Sequence, residues 1–198
     1  MQVFHRSTNT FARLSIFGSI FVIAAATWAL NEINRSSWVT QAQVAREQPV
    51  PFSHKHHAGE LGIDCRYCHN FVERSKYAGV PPTQTCMNCH QMVDSTNRPE
   101  LEKLKKYYAD NEPIPWVKVH DLPDFVYFSH KRHVLGGVKC QECHGEVQDI
   151  MTVDRRVNTL EMGWCLNCHA THPKVDENYG AQAELRRAEL KDCWTCHK

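Results

Sequence analysis

Residues 65–69 read Cys-Arg-Tyr-Cys-His. The same Cys-x-x-Cys-His pattern returns at Cys86, Cys89 and His90, at Cys140, Cys143 and His144, at Cys165, Cys168 and His169, and at Cys193, Cys196 and His197. These five motifs use all ten cysteines, which leaves no thiol for a disulfide, a nucleophile or a separate metal site. CxxCH is the attachment sequence for c-type haem: both sulfurs form thioethers and the adjacent His reaches the iron. A structural zinc site pools four ligands and needs no His after every second Cys, and a redox dithiol needs one pair. The sequence predicts five covalent haem c groups with His69, His90, His144, His169 and His197 as proximal ligands.

Upstream of two motifs lies a repeat. Phe52-Ser53-His54-Lys55-His56-His57 precedes Cys65, and Phe128-Ser129-His130-Lys131-Arg132-His133 precedes Cys140. Each copy continues through a Gly-rich stretch into its first CxxCH, and a second CxxCH follows 21 residues later in one copy and 25 in the other. Such self-similarity marks duplication. The organisation read from it is a module at 51–95, a helical connector at 96–118, a module at 119–172 and a fifth-haem segment at 173–198. In the connector, Asn97 is placed as cap and Pro99 in the first turn of a helix that Pro113 and Pro115 end. Its Lys103, Lys105 and Lys106 read as a solvated face. A second short helix is predicted over 182–192.

The chain has 198 residues, with Lys and Arg numbering 23 against 22 Asp and Glu. No basic stripe is visible, and haem propionates would move the holoprotein toward acidity, so nucleic acid is not an expected partner. Residues 51–198 carry about 30 residues per motif, too few for long helices or a sheet. The predicted fold class is mostly irregular and helical: a class III-like multihaem cytochrome c with a haem-built core, behind a single N-terminal transmembrane helix.

That helix comes from Leu14–Leu30, an uncharged run of 17 residues. It spans about 26 Å, near the roughly 30 Å of a hydrocarbon core. Arg6 and Arg13 precede it, so positive-inside logic puts the N-terminus in the cytoplasm and the haem region in the periplasm, on an inner membrane crossed once. Haem attachment on the outer side of an energy-conserving membrane agrees. The competing reading is a cleaved secretory peptide with Ala24-Ala25-Ala26 as its site, against which stands the length of the run. Residues 1–35 are read as anchor and 36–50 as a polar tether. Gly18 and Ser19 would allow close helix packing, and Trp28 and Trp38 would mark the outer interface.

The sixth coordination positions decide what the irons can do, because His on both sides closes the metal and favours electron transfer. Eight His remain beyond the proximal five. His5 lies before the apolar run. His54, His57, His130 and His133 share the spacing HxxH in both repeats and are assigned as distal ligands, one per module to its own first haem and the other to a neighbour. His56 breaks the repeat and is read as a bystander. For the fifth distal ligand His120 is the first choice and Met162 the alternative, with His172 and Met151 behind them; a Met ligand would raise that haem's potential. No catalytic residue is singled out.

Phe52–His57 with Cys65–His69, the stretch Val119-His120-Asp121-Leu122-Pro123 ahead of the second repeat, and Met162-Gly163-Trp164 ahead of Cys165 together resemble the membrane-anchored pentahaem cytochrome c subunit of alternative complex III, a quinol-oxidising respiratory or photosynthetic complex. The HxxH-plus-CxxCH pattern alone is shared with small class III cytochromes. The resemblance implies a non-enzymatic electron carrier. Its donor would be an iron–sulfur, molybdopterin-like subunit, with quinol bound by integral membrane subunits, and its acceptor a monohaem cytochrome c or soluble carrier. Two other classes stand beside it: a stand-alone membrane-anchored multihaem quinol dehydrogenase, and a multihaem oxyanion reductase, which would need one open iron.

Overall fold

Every CxxCH motif lies on a turn of helix. A computed structural model describes residues 5, 7–93, 95–152 and 155–197. Their elements in order are α1 Ser7–Arg35, α2 Ser37–Thr40, a π-helix Lys55–Glu60, α3 Cys65–Cys68, α4 Thr83–His90, α5 Pro99–Ala109, α6 His130–Leu135, α7 Cys140–His144, a 3₁₀ turn Val147–Asp149, α8 Met162–Thr171, α9 Pro173–Tyr179, a 3₁₀ turn Gly180–Gln182, α10 Ala183–Glu189 and α11 Cys193–Cys196. Among the described residues there is no strand, so the architecture is helical and irregular.

The chain divides into two units, Met1–Ala42 and Gln43–Lys198. In the first, α1 buries none of its residues, and Phe17, Phe21 and Ile23 are largely exposed. Its hydroxyls turn back onto the helix: Ser15 donates to the Ala12 carbonyl at 3.0 Å and Thr27 to that of Ile23 at 2.9 Å. An apolar surface with internally satisfied polar groups suits lipid, and α1 is long and apolar enough to cross a membrane. Arg6, used above for orientation, lies outside the described residues.

The second unit begins inside the stretch read as a tether. Gln43 N–H donates to the Arg156 carbonyl at 2.9 Å, and the Gln48 side chain pairs with both backbone groups of Val117 at 3.0 Å. Val50 then enters the buried cluster with Met87 of α4, Leu104 of α5 and Ile114. Residues 43–50 are therefore packed structure, because an amide that mimics a strand partner holds them to 117. The connector is corrected too. Asn97 has φ +62° and the cap position falls to Arg98, so the helix starts without a side-chain cap. Lys105 is not on a solvated face; its ammonium donates to the Val93 carbonyl at 3.1 Å and to Ser95 at 3.2 Å. The helix predicted over 182–192 is shorter, α10 covering Ala183–Glu189.

The two repeats meet through a glycine. A Cβ on Gly59 would lie 2.4 Å from the Gln148 carbonyl oxygen, so the π-helix can approach the 3₁₀ turn of the second module only without a side chain there. Lys55 N–H donates to the Ile150 carbonyl beside it, and His130 N–H reaches back to that of Lys76.

No described side chain is less than 2 % exposed. The buried apolar cluster of the second unit consists of four residues, Val50, Met87, Leu104 and Ile114. A side-chain core this small fits a protein whose apolar interior is completed by porphyrin plates.

Candidate haem sites

The i, i+3 spacing puts both thiols of a motif on one side of a single turn. Asp64 caps α3 by accepting the Arg66 N–H at 2.8 Å, and Asp192 caps α11 by accepting that of Trp194 at 3.1 Å. In α7 the Glu142 carboxylate takes the Lys139 N–H at 2.9 Å. Burial pushes the Cys143 thiol up to about 11 and raises Cys68, Cys86, Cys140, Cys165 and Cys168 as well. Among the described residues no three His, Cys, Asp or Glu converge on one metal point.

After burial, four of these thiols feel a thiol of another motif. Cys86 feels Cys68, and Cys140 feels Cys65. Cys143 feels Cys168, and Cys165 feels Cys196. Thiols of different motifs therefore come near one another in the fold.

The ring orientation of several ligand candidates is set by backbone carbonyls. Nδ1 donates to Gly79 at 2.7 Å in His69, to Leu190 at 3.0 Å in His169 and to Phe125 at 3.0 Å in His197. The same holds for His57 onto Ser53 at 2.8 Å, His130 onto Lys76 at 2.9 Å and His133 onto Ser129 at 2.9 Å. A carbonyl only accepts, so Nδ1 carries the proton and Nε2 presents its lone pair, the arrangement metal-binding imidazoles use. These acceptors escaped sequence reasoning because a main-chain oxygen has no residue signature. Gly79 had a weak one: its φ of +78° is a glycine conformation, and that turn aims its carbonyl at His69.

Proximal and distal candidates face one another. Ring centroids lie 5.8 Å apart for His57 and His90, 6.3 Å for His130 and His144, and 6.0 Å for His133 and His169. Ring centroids about 6 Å apart leave room for one metal atom between two imidazole nitrogens, so the residues present would fit a haem iron. His54 is brought close to His69: burial first, then the His69 and His57 rings, hold it down at about 4. Burial likewise takes His144 down to about 3 and lowers His90 and His133. Neutral imidazoles are what iron requires. Phe52 lies face-on to His57 at 4.4 Å and edge-on to His54 at 4.7 Å; Phe128 does the same to His133 at 4.5 Å and His130 at 4.8 Å.

The remaining candidates separate. His120 is seated against His144, with centroids 4.4 Å apart and planes at 63°. Its Nε2 is buried without a hydrogen-bond partner, and burial, then Arg156, holds it at about 4. His197 has the Phe125 ring stacked at 5.9 Å. Met162 is 67 % exposed at the start of α8. Met151 is exposed and its sulfur accepts the Ser53 hydroxyl at 3.7 Å. In His172 both nitrogens are engaged, Nδ1 by the Lys174 N–H and Nε2 by Glu142, which removes it as a ligand. His56 pairs with Glu60 at 2.8 Å on the surface.

Two family models match successive parts of the chain. The class III cytochrome c family model matches residues 31–121, and the family of cytochrome c7 and related cytochromes c matches 126–198. Among curated proteins the chain is similar to the menaquinone reductase multihaem cytochrome c subunit of Nitratidesulfovibrio vulgaris. The two are 28 % identical over 200 residues, covering 91 % of this chain and 87 % of the relative.

Proposed function

We propose that this chain, a multihaem cytochrome c of class III-like architecture with covalent haem c, is the five-haem electron-conducting subunit of a membrane quinone oxidoreductase. The observation that carries the reading is the set of three facing His pairs at 5.8, 6.3 and 6.0 Å, each pairing a motif His with an HxxH His. The proposed axial pairs are His69 with His54, His90 with His57, His144 with His130, and His169 with His133. Each module would then serve its first haem with the first His of its repeat and its second haem with the other. For the His197 haem we keep His120, a buried imidazole with a bare Nε2, ahead of the exposed Met162, although its ring is seated against His144 and not against His197.

When bound, haem supplies one-electron exchange at a closed, six-coordinate iron. The chain's own part is placement. Ten cysteines would tether the groups, carbonyls turn the imidazoles, and thiols of different motifs lie near one another, so that electrons could pass between the sites. The helix α1 would anchor the chain at an inner membrane with the haem unit in the periplasm, Trp28 and Trp38 at the outer interface, and integral quinol-binding subunits beside it. An iron–sulfur, molybdopterin-like subunit and a monohaem or soluble cytochrome would complete the path.

Two directions of flow are open to such a subunit. The resemblance to alternative complex III favours quinol oxidation; the name of the relative, a menaquinone reductase, favours delivery of electrons to menaquinone. Purification of the membrane complex tests both. Haem reduction by a menaquinol analogue supports the first. Reduction only by a low-potential donor, followed by reoxidation on adding menaquinone, supports the second. A free, unpartnered chain that neither treatment affects overturns the subunit reading, and rapid reduction of the isolated chain by quinol makes it a dehydrogenase in its own right.

A further inference from the structure

Phe52 and Phe128 do work that the axial assignment leaves unexplained. Neither belongs to the buried cluster of Val50, Met87, Leu104 and Ile114; each packs on two imidazoles instead. The face-on contacts, with His57 and His133, have interplanar angles of 22° and 25°. The edge-on contacts, with His54 and His130, have angles of 85° and 89°. The two copies agree although their backbones do not, since His54 and His57 border and enter a π-helix while His130 and His133 lie on α6. A geometry reproduced on two different backbones belongs to the rings and not to the helix beneath them.

We propose that Phe52 and Phe128 are positioning residues that each fix the distal imidazoles of two different haems, an inference that rests on the axial pairs proposed above. The Ser53 and Ser129 carbonyls hold His57 and His133 at Nδ1, which leaves rotation about that hydrogen bond. A phenyl face stacked on the imidazole removes the rotation, and the phenyl edge does the same for the first His of the pair. Ligand-plane orientation splits the iron d orbitals, so the phenyl sets the electronic signature of both irons, and it does so through a contact that reaches neither iron.

The test uses the full-length holoprotein. Phe128→Leu should shift the low-spin ferric electron paramagnetic resonance signals of two haems, those on His144 and His169, and leave the other three in place; Phe52→Leu should move those on His69 and His90. Phe128→Tyr, which keeps the ring, should restore the wild-type spectrum. If Phe128→Leu does not accumulate with its haems, Phe128→Met keeps the bulk without the ring and reads the same shift. Spectra of the Leu or Met variants that superimpose on wild type, or that move in all five haems alike, overturn the proposal. A wild-type spectrum without bis-imidazole signals overturns the axial assignment instead, so the two failures are distinct.

Discussion

The rings of His133 and His169 lie 6.0 Å apart with planes 23° apart, and each is turned by a carbonyl from a different part of the chain, Ser129 for one and Leu190 for the other. The two imidazoles are thus held independently, at a separation that suits the axial pair proposed for them. Replacing His133 by Ala should convert one haem from low to high spin and let it bind carbon monoxide or imidazole, while the rest keep their spectra. His172→Ala, on a residue whose nitrogens are both engaged elsewhere, should leave the spin state unchanged. Magnetic circular dichroism of the two variants checks the contrast.

The contact between the modules makes a stability prediction. An Ala at 59 would drive its methyl against a backbone oxygen 2.4 Å away, and backbone cannot swing aside as a side chain can. Gly59→Ala should destabilise the holoprotein by about 1–3 kcal/mol, the range for overpacking. Gly163 is the control: a Cβ there meets nothing within 4 Å, and it lies in helix α8. Gly163→Ala should be neutral or stabilising by up to about 1 kcal/mol from helix propensity. Denaturant titration followed by the Soret band measures both.

Acid should weaken the first haem turn. Asp64 is held at about 2, first by the Arg66 side chain and then by the Arg66 N–H. A carboxylate whose folded pKa is depressed contributes fully above its unfolded value, near 4, and loses that contribution as pH falls toward 2. The stability gap between wild type and Asp64→Asn should therefore stay level from pH 7 to 5 and close below pH 4. The pair is exposed, so the gap should not exceed about 1 kcal/mol. A gap that persists unchanged at pH 2.5 (approximately the depressed value) contradicts the electrostatic account.

The fifth sixth-ligand is decided by two substitutions. His120→Ala should add one high-spin haem, and Met162→Ala should leave the spectrum alone. A near-infrared charge-transfer band from a methionine–iron bond in wild type, lost in Met162→Ala, reverses the assignment.

The CxxCH pattern was legible in the sequence because thioether chemistry demands a local spacing, and the HxxH pattern because a duplication repeats it. Which His faces which was not, since His57 meets His90 and His133 meets His169 only after long stretches of chain fold back. Carbonyl partners such as Lys76 for His130 have no residue preference to read. Gln48 looked like any glutamine of a polar tether until Val117 was placed beside it, and His172 became unavailable only through Glu142, thirty positions upstream in another motif. Asn97 misled as a cap because the residue types that cap helices also tolerate positive φ.

The central claim is that every CxxCH carries a haem. Intact mass of the denatured holoprotein, made in a host with cytochrome c maturation, measures this directly. The account predicts one species at the polypeptide mass plus five haems, unchanged by chelators. A species with fewer haems, with free thiols at any motif or with zinc removable by chelation contradicts it.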